Sequence, residues 1–471
     1  MDLSSIYFPC GESYSECLRK LYSVNSSLNT SGITMPSSGN LDNTMKLYEL
    51  IGKPLDSIPT IHVGGTNGKG STSYKIAKAL NSCGITTGLF VSPHISSYRE
   101  RVQINDVLIS ESDLVNMLPK IFKLCVDYSI PATLFEITFI LACLHFSSSK
   151  CDAVVIEVGC GGKLDATNVI LSELSIICSV SLDHTRILGS TVEEIARVKA
   201  GIFKPNKHAL IGMGTPINVL KSEASSVGAN LVTVDNVLSQ NSGNMPFLSS
   251  INMEVDSIGG IIDTDHINQN ITFAALSLLA LKGSIFGLLL DSNMSNKIIA
   301  SVACRPPCRW EIFKIPVTNI NGESISITVI LDVGHNPAAV AALSKRIKRD
   351  FNDKVVRILY GVSRDKDIRS CLKEIITCTS PDRIHFAQSQ NFRAVSAKDL
   401  ESLFLELSGS SIVKNLGDDL QSILKEALNR CANESTSLES VLVICGTGYI
   451  MPEIRTHLGV KEPRDDLDLN K

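Results

Sequence analysis

The residues best placed to do chemistry stand together at Gly64-Gly65-Thr66-Asn67-Gly68-Lys69-Gly70-Ser71. They follow the apolar run Ile58-Pro59-Thr60-Ile61-His62-Val63 and precede the helical spacing Ile76, Ala79, Leu80, Cys83. A strand that runs into a glycine-rich turn, which in turn opens a helix, makes a phosphate site. The glycines let backbone N–H groups face the phosphates, the helix N-terminus adds positive dipole, and Lys69 neutralises the outer phosphates. The ligand this predicts is a nucleoside triphosphate. The spacing departs from the common P-loop: three residues separate Gly64 from Gly68, and the Ser71 hydroxyl follows Lys69 by two positions instead of one. Kinase and GTPase loops fit it poorly.

Four other places carry reactive residue types. Glu157 ends the apolar run of CDAVVIEVGCGG, where a buried carboxylate needs either a cation or the N–H groups of the following glycines. His184 closes SLDH at the C-terminal edge of the next strand, the edge at which open α/β sheets hold ligands; alone, it reads equally as a structural or surface histidine. Lys199, in RVKAGIF, reads by itself as a solvated charge at a helix end. Asp332 and His335, in LDVGHNP, stand where a strand turns into a helix with Pro337 at an early position.

These residues need a scaffold that brings strand ends together, and the sequence supplies one. Strand-like runs at Thr87 to Val91, Ala153 to Val158, Ser175 to Val180, Ile325 to Leu331, Val355 to Tyr360, Arg383 to Ala387 and Val441 to Cys445 alternate with helical patterns, which predicts parallel α/β sheets. Thr133 with Glu136 and Thr191 with Glu194 have the spacing of capping boxes. The Pro306-Pro307 step places a domain boundary near it, giving domains 1–303 and 304–471. Residues 20 to 45 and 235 to 260, rich in small polar residues, read as loops, and the last ten residues as a frayed tail.

Of the 471 residues, 44% are hydrophobic and 20% charged, an ordinary globular balance with room for a large core. A net charge of −4 without a basic block gives no footprint for nucleic acid or an anionic membrane. No apolar run is long enough for a membrane span, and the N-terminus has no leader pattern. The fourteen cysteines are scattered, many inside apolar runs, and read as small buried hydrophobes. Cys304 and Cys308 lack the partners of a zinc site. A cytoplasmic monomer acting on small molecules is expected.

The motifs occur in a fixed order: GTNGKGS, VSPH, EVGCGG with LDATN, SLDHTRILGSTVEEIARVKAGIF, HINQNITFAAL, LDVGHNP, GVSRDKD and CGTG. In these the chain resembles the dihydrofolate synthase and folylpolyglutamate synthase family, a branch of the ATP-dependent Mur ligase superfamily, across residues 14 to 457. The resemblance implies an α/β fold: an N-terminal P-loop-type ATP-binding domain with a mostly parallel sheet, plus a smaller C-terminal Rossmann-like domain. It implies ATP on Gly65, Thr66, Asn67, Gly68, Lys69, Gly70 and Ser71, with Asn270 at the adenine and Arg309 and Asp332 reaching the nucleotide from the second domain. Magnesium (Mg2+) would be held by Ser71, Ser92, Glu157 and His184. Lys69, Lys199, Asp332 and His335 would be catalytic, Lys199 as a carbamate formed with carbon dioxide. Phe135, Glu136, Asp165 and Thr447 would bind substrate. Three departures stand out: Lys163 and Cys308 where relatives carry Arg and Gly, and a stretch at 24–44 that keeps only Gly32-Ile33 of the family's segment.

The reaction implied is amide ligation. The acceptor carboxylate attacks the ATP γ-phosphate, and the amine of L-glutamate displaces phosphate from the acyl phosphate. Two domains that share these residues imply a cleft that closes before reaction. A muramyl peptide ligase shares the chemistry but has a further domain before its loop, where this chain has 63 residues. A non-catalytic homologue is the alternative of a different class, but Lys69, Glu157, His184 and Lys199 are all present. Phe135-Glu136 resembles the segment of dihydrofolate synthases and bifunctional bacterial enzymes, whereas eukaryotic enzymes dedicated to polyglutamylation tend to carry Phe-Arg. Dihydropteroate is therefore the expected acceptor, with glutamate addition to folates as a second activity; a dedicated folylpolyglutamate synthase is the other reading.

Overall fold

The computed structural model describes residues 13–26, 41–241, 264–281, 286–410, 419–434 and 439–465. These fall into two compact units, one ending at Cys304 and the other beginning at Arg305. The first is built on an eight-stranded sheet. Its strands are β1 (Thr60–Gly64), β2 (Thr87–Phe90), β3 (Val102–Ile104), β4 (Val107–Leu108), β5 (Ala153–Glu157), β6 (Leu174–Ile177), β7 (His208–Ile211) and β8 (Asn230–Thr233), in the order β4-β3-β2-β5-β1-β6-β7-β8. Only the β2–β3 and β3–β4 pairs are antiparallel. β1 lies between β5 and β6, in register Val63 to Glu157 and Gly64 to Ile177. The loops that leave the C-terminal ends of β1, β5 and β6 therefore gather at one edge, and they carry the glycine loop, Glu157 and the SLDH segment.

The central strands β1, β5 and β6 are buried on both faces, which is why they read as unbroken apolar runs. The helix Lys69–Ser82 lays Ile76, Ala79 and Leu80 on Ile61 and Val63, and the helix Thr264–Ala280 covers it with Ala275, Leu276 and Leu279. The helix Leu134–Ser148 is apolar all round and is buried on nearly every side.

The second unit has five strands, β9 (Arg309–Thr318), β10 (Ser324–Asp332), β11 (Val355–Tyr360), β12 (Ile384–Phe386) and β13 (Ser440–Cys445), in the order β12-β11-β13-β10-β9. All pairs but β9–β10 are parallel. Ile330, Ile358, Phe386, Phe404 and Val443 form its core. β9 is an edge strand, and its burial alternates residue by residue. The α/β class with a large, mostly parallel sheet and a smaller second one is as the motifs implied.

The loop assignments need correction. Residues within 20–45 belong to the helices Tyr14–Ser26 and Asp42–Leu50, and Val234–Asn241 is a helix too. Leu18, Leu21 and Leu47 are buried in the first two and Val237 in the third, so a few well-placed apolar residues outweigh a polar composition. Gly32-Ile33, residues 242–260 and the end of the tail lie outside the described residues. All cysteines among the described residues are free. Among those residues no helix is long and apolar enough to cross a membrane.

Candidate active site

The glycine loop needs its glycines. Gly65 and Gly68 hold φ of 144° and 86°, and a Cβ on Gly65 would stand 3.1 Å from the Ser179 nitrogen. The segment after β6 clamps the loop. The Thr66 N–H donates to the Ser179 carbonyl at 2.8 Å, and the Thr66 hydroxyl donates to the Ser181 carbonyl at 3.1 Å. Ser179 Oγ accepts from the Asn67 N–H and donates to the Asn67 carbonyl, both at 2.9 Å. Lys69 Nζ turns back to the Thr66 carbonyl at 3.2 Å, and Gly70 and Ser71 continue into the first turn of a 14-residue helix. The result is a rigid cradle of N–H groups at a helix N-terminus.

Glu157 is only 4% exposed, and its carboxylate lies against that first turn: a Cβ on Gly70 would be 3.3 Å from Oε2. The same oxygen accepts the Ser92 N–H at 2.9 Å. The structure thus brings Glu157, Ser92 and the Gly70-Ser71 step together. One buried carboxylate with serine hydroxyls beside a phosphate cradle is a hard oxygen donor set, which fits magnesium shared with phosphate oxygens. His184 holds φ of 49° and its Nε2 lies 4.0 Å from Asp183 Oδ1. Among the described residues no group of three or more His, Cys, Asp or Glu side chains is arranged around a metal position.

Lys199 is not the solvated helix end that its sequence alone suggests. It is 3% exposed, and its Nζ donates to the Gly65 carbonyl at 2.9 Å. Burial, and then the charge of Lys69, pull its pKa down to about 7. Gly162 allows this approach, since a Cβ there would meet the Lys199 carbonyl at 2.7 Å. The glycine loop after Glu157 is held by Asp165, which accepts the N–H groups of Cys160 at 2.7 Å and Thr167 at 3.1 Å. Burial raises the Asp165 pKa and these bonds oppose the rise. Thr167 in turn meets His62 of β1, Oγ1 to Nε2 at 2.8 Å. Asp165 therefore shapes the loop.

Thr133 and Glu136 form the capping box that their spacing predicts. The Glu136 carboxylate accepts the Thr133 N–H at 2.7 Å through one oxygen and the Thr44 hydroxyl at 2.9 Å through the other, and the residue is 2% exposed. Glu136 is thereby built into the fold. Its neighbour Phe135 is half-buried against Phe90 at 5.7 Å and over Gly159, where a Cβ would come within 2.5 Å of the ring. This puts an aromatic face two residues beyond Glu157.

In the second unit, Asp332 ends β10 and accepts the Trp310 N–H at 3.0 Å and the Gly334 N–H at 2.8 Å. Burial raises its pKa, against the charge of Arg309. Cys308 takes φ of 56°, so the position where relatives carry glycine keeps a glycine conformation, and Trp310 holds 53°. The ladder shifts register at Leu331/Asp332, which turns Arg309 out of strict alternation. His335 Nδ1 lies 2.9 Å from the Val333 carbonyl; since a carbonyl only accepts, that nitrogen carries the proton. Thr447 is buried in the turn after β13, its hydroxyl accepting the Tyr449 N–H at 3.3 Å.

Two residues near the phosphate loop were not singled out from the sequence. Asn268, buried, has Oδ1 3.4 Å from Thr72 Oγ1 and 2.5 Å from where a Cβ on Gly68 would be. Asn270, two residues on, is half-buried on the same helix. Two asparagines so close give no sequence signal as to which meets the loop. Ser179 had no signal at all, because its role depends on β1 and β6 being neighbours.

A glycine loop on the central strand of a parallel sheet, beside a buried glutamate and a buried lysine, followed by a second α/β unit, defines a Mur-ligase type of architecture. The family model for the Mur ligase middle domain matches residues 63–242, and that for the dihydrofolate synthetase C-terminal domain matches residues 316–457. The chain is 31% identical over 436 residues to the dihydrofolate synthase/folylpolyglutamate synthase of Bacillus subtilis, covering 89% of this chain and 94% of that one. With the dihydrofolate synthetase of Saccharomyces cerevisiae it shares 25% over 428 residues, 88% and 96% of the two chains. The fold superposes on Escherichia coli FolC in complex with DHPP and ADP with a TM-score of 0.75 at 24% identity, over 95% and 98% of the chains. The chain belongs to the dihydrofolate synthase/folylpolyglutamate synthase family.

Proposed function

We propose that this chain is an ATP-dependent ligase that joins L-glutamate to dihydropteroate and adds further glutamates to reduced folates. The observation that carries the reading is Glu157, buried against the first turn of the phosphate-loop helix. A carboxylate in that place, only partly met by the Ser92 N–H, is suited to hold a cation, and a cation beside a phosphate cradle is what phosphoryl transfer uses. The two activities follow the names of the Bacillus subtilis relative and of an Escherichia coli one that is 32% identical over 317 residues.

In this reading the loop N–H groups and Lys69 bind the phosphates, and Ser71, Ser92 and Glu157 hold magnesium, with His184 completing the set. Bound there, magnesium would supply positive charge against the transferring phosphoryl group. A carboxylate oxygen of the acceptor attacks the γ-phosphorus and ADP leaves, so that oxygen becomes the bridge of an acyl phosphate. The glutamate amine then attacks the acyl carbon, loses a proton, and phosphate departs with that oxygen. Lys199, able to be neutral near pH 7, meets the requirement for reaction with carbon dioxide. As a carbamate it would orient the metal, and its amine otherwise braces the Gly65 carbonyl. Phe135 supplies a face for the flat acceptor, with Glu136 fixing the helix that carries it. Arg309, Asp332, His335 and Thr447 act from the second domain, residues 304–471, and Asn270 takes the adenine. The protein works as a cytoplasmic monomer with no nucleic-acid or membrane partner.

Purified protein given ATP, magnesium and L-glutamate, with dihydropteroate and tetrahydrofolate in parallel, tests the reading. The expected result is acceptor-dependent ADP release and a product heavier by one glutamate in both cases. Turnover with tetrahydrofolate alone overturns the dihydrofolate synthase assignment, and none with either overturns the ligase.

A further inference from the structure

Lys75 is completely buried on the helix Lys69–Ser82. A charged lysine is rarely found in that position unless every proton of its ammonium has a partner. Here Nζ donates to the Val302 carbonyl at 2.6 Å and the Cys304 carbonyl at 2.7 Å, and pairs with Asp265 Oδ1 at 3.0 Å. Val302 and Cys304 are at the end of the helix Ser295–Ala303, whose last carbonyls have no partner within the helix. They are also the last residues of the first unit, because the second begins at Arg305. Asp265 opens the helix Thr264–Ala280, and one turn further on the same helix carries Asn268, which meets Thr72 and Gly68. A single side chain thus ties the phosphate-loop helix, the helix that buttresses the loop, and the point where the chain leaves the first unit.

We propose that Lys75 is a positioning residue for ligation: it fixes the exit of the first unit, at Val302 and Cys304, to the helix that holds the phosphate loop. This rests on the ligase reading, in which ATP sits at one end of that helix and the chain beyond Arg305 leads to Arg309, Asp332 and His335. Apolar packing would hold the helices together equally well. The ammonium adds a directional anchor for two exit carbonyls, which Pro306 and Pro307 then extend as a stiff segment. The phosphate loop keeps its clamp from Ser179 and Ser181 when the anchor is loosened, whereas the two exit carbonyls lose their donor, so turnover suffers and nucleotide binding does not.

The test uses Lys75→Met in the full chain, which keeps an unbranched side chain up to the position of Cε and removes the donors. Three readouts are taken: affinity for a non-hydrolysable ATP analogue by calorimetry, kcat for ligation, and amide hydrogen exchange over residues 300–305 and 64–72. The expected result is analogue affinity within about threefold of the original, kcat lower by about tenfold or more, and exchange faster at 300–305 but unchanged at 64–72. Lys75→Gln, which keeps one donor group, serves if the methionine variant does not fold, and should show a smaller change in the same pattern. An unchanged kcat, or affinity falling in step with kcat, overturns the proposal. If the original protein shows no ligation, the ligase reading fails by itself, and unchanged exchange at 300–305 in the variant then overturns the anchor independently.

Discussion

The two units solve the same problem, a reactive group at a strand end, in opposite ways. At the end of β1 the unusual backbone is given to glycines, Gly65 and Gly68, whose freedom lets main-chain N–H groups line the cradle. At the start of β9 the unusual backbone is carried by Cys308 and Trp310, each with a positive φ that costs an L-residue roughly 1–2 kcal/mol. Neighbours hold them there. The Cys308 N–H donates to Glu311, which pairs with Arg455; Trp310 is stacked on Phe351 and lies 4.1 Å under the Arg346 guanidinium. The first site is shaped by the chain's own permissiveness, and the second is over-determined by its surroundings. Substitutions should therefore bite at the loop itself in the first unit, and in the second also at residues well removed in sequence.

The contrast breaks most sharply at Lys199. Lys199→Ala should lower ligation roughly a hundredfold or more, and short carboxylic acids that fill the vacated space should restore part of it. Steady-state ADP release shows this, and a wild-type rate removes Lys199 from the mechanism. Next in size is a pair of variants, one in each unit. Lys69→Ala should weaken binding of an ATP analogue and slow ligation together, whereas Arg309→Ala should slow ligation by about tenfold or more with analogue binding kept within about threefold. Calorimetry beside kinetics separates the two, and equal losses of binding would erase the distinction between the units.

How far the sequence carried differs along the same line. Glycine, lysine and serine at fixed spacing betray the phosphate loop because the geometry is local. Glu157 was legible as a buried carboxylate from the apolar run it ends, whereas the burial of Lys199 was not legible, since it comes from Gly162 approaching from another segment. Ser179, Asn268 and Lys75 were invisible, because each acts across a sequence separation of more than a hundred residues. The helices Tyr14–Ser26 and Val234–Asn241 were missed because their polar faces dominate their composition.

A smaller effect sharpens the picture of Lys199. Its pKa is about 7 in the folded chain against an ordinary 10.5, so between these values the unfolded chain binds more protons. Stability should therefore rise as pH increases from about 7 towards 10.5, and the cost of charging the buried amine is fully present below about 7. Lys199→Met should flatten that rise, which thermal unfolding of both proteins across the range in bicarbonate-free buffer would show; parallel curves would mean the amine is not desolvated. The smallest effect belongs to Glu136. Glu136→Gln should cost about 1 kcal/mol, the scale of a weakened cap, and leave the ratio of rates with dihydropteroate and tetrahydrofolate unchanged. A shifted ratio would return Glu136 to the substrate.

The central claim, ligation through an acyl phosphate formed at the phosphate loop, is tested most directly by isotope transfer. Dihydropteroate labelled with oxygen-18 in its carboxylate is turned over with ATP and L-glutamate, and the released inorganic phosphate is analysed by mass spectrometry. One labelled oxygen in each phosphate is the predicted result, because the carboxylate oxygen that attacks the γ-phosphorus leaves with it. Product formation with unlabelled phosphate would contradict the account.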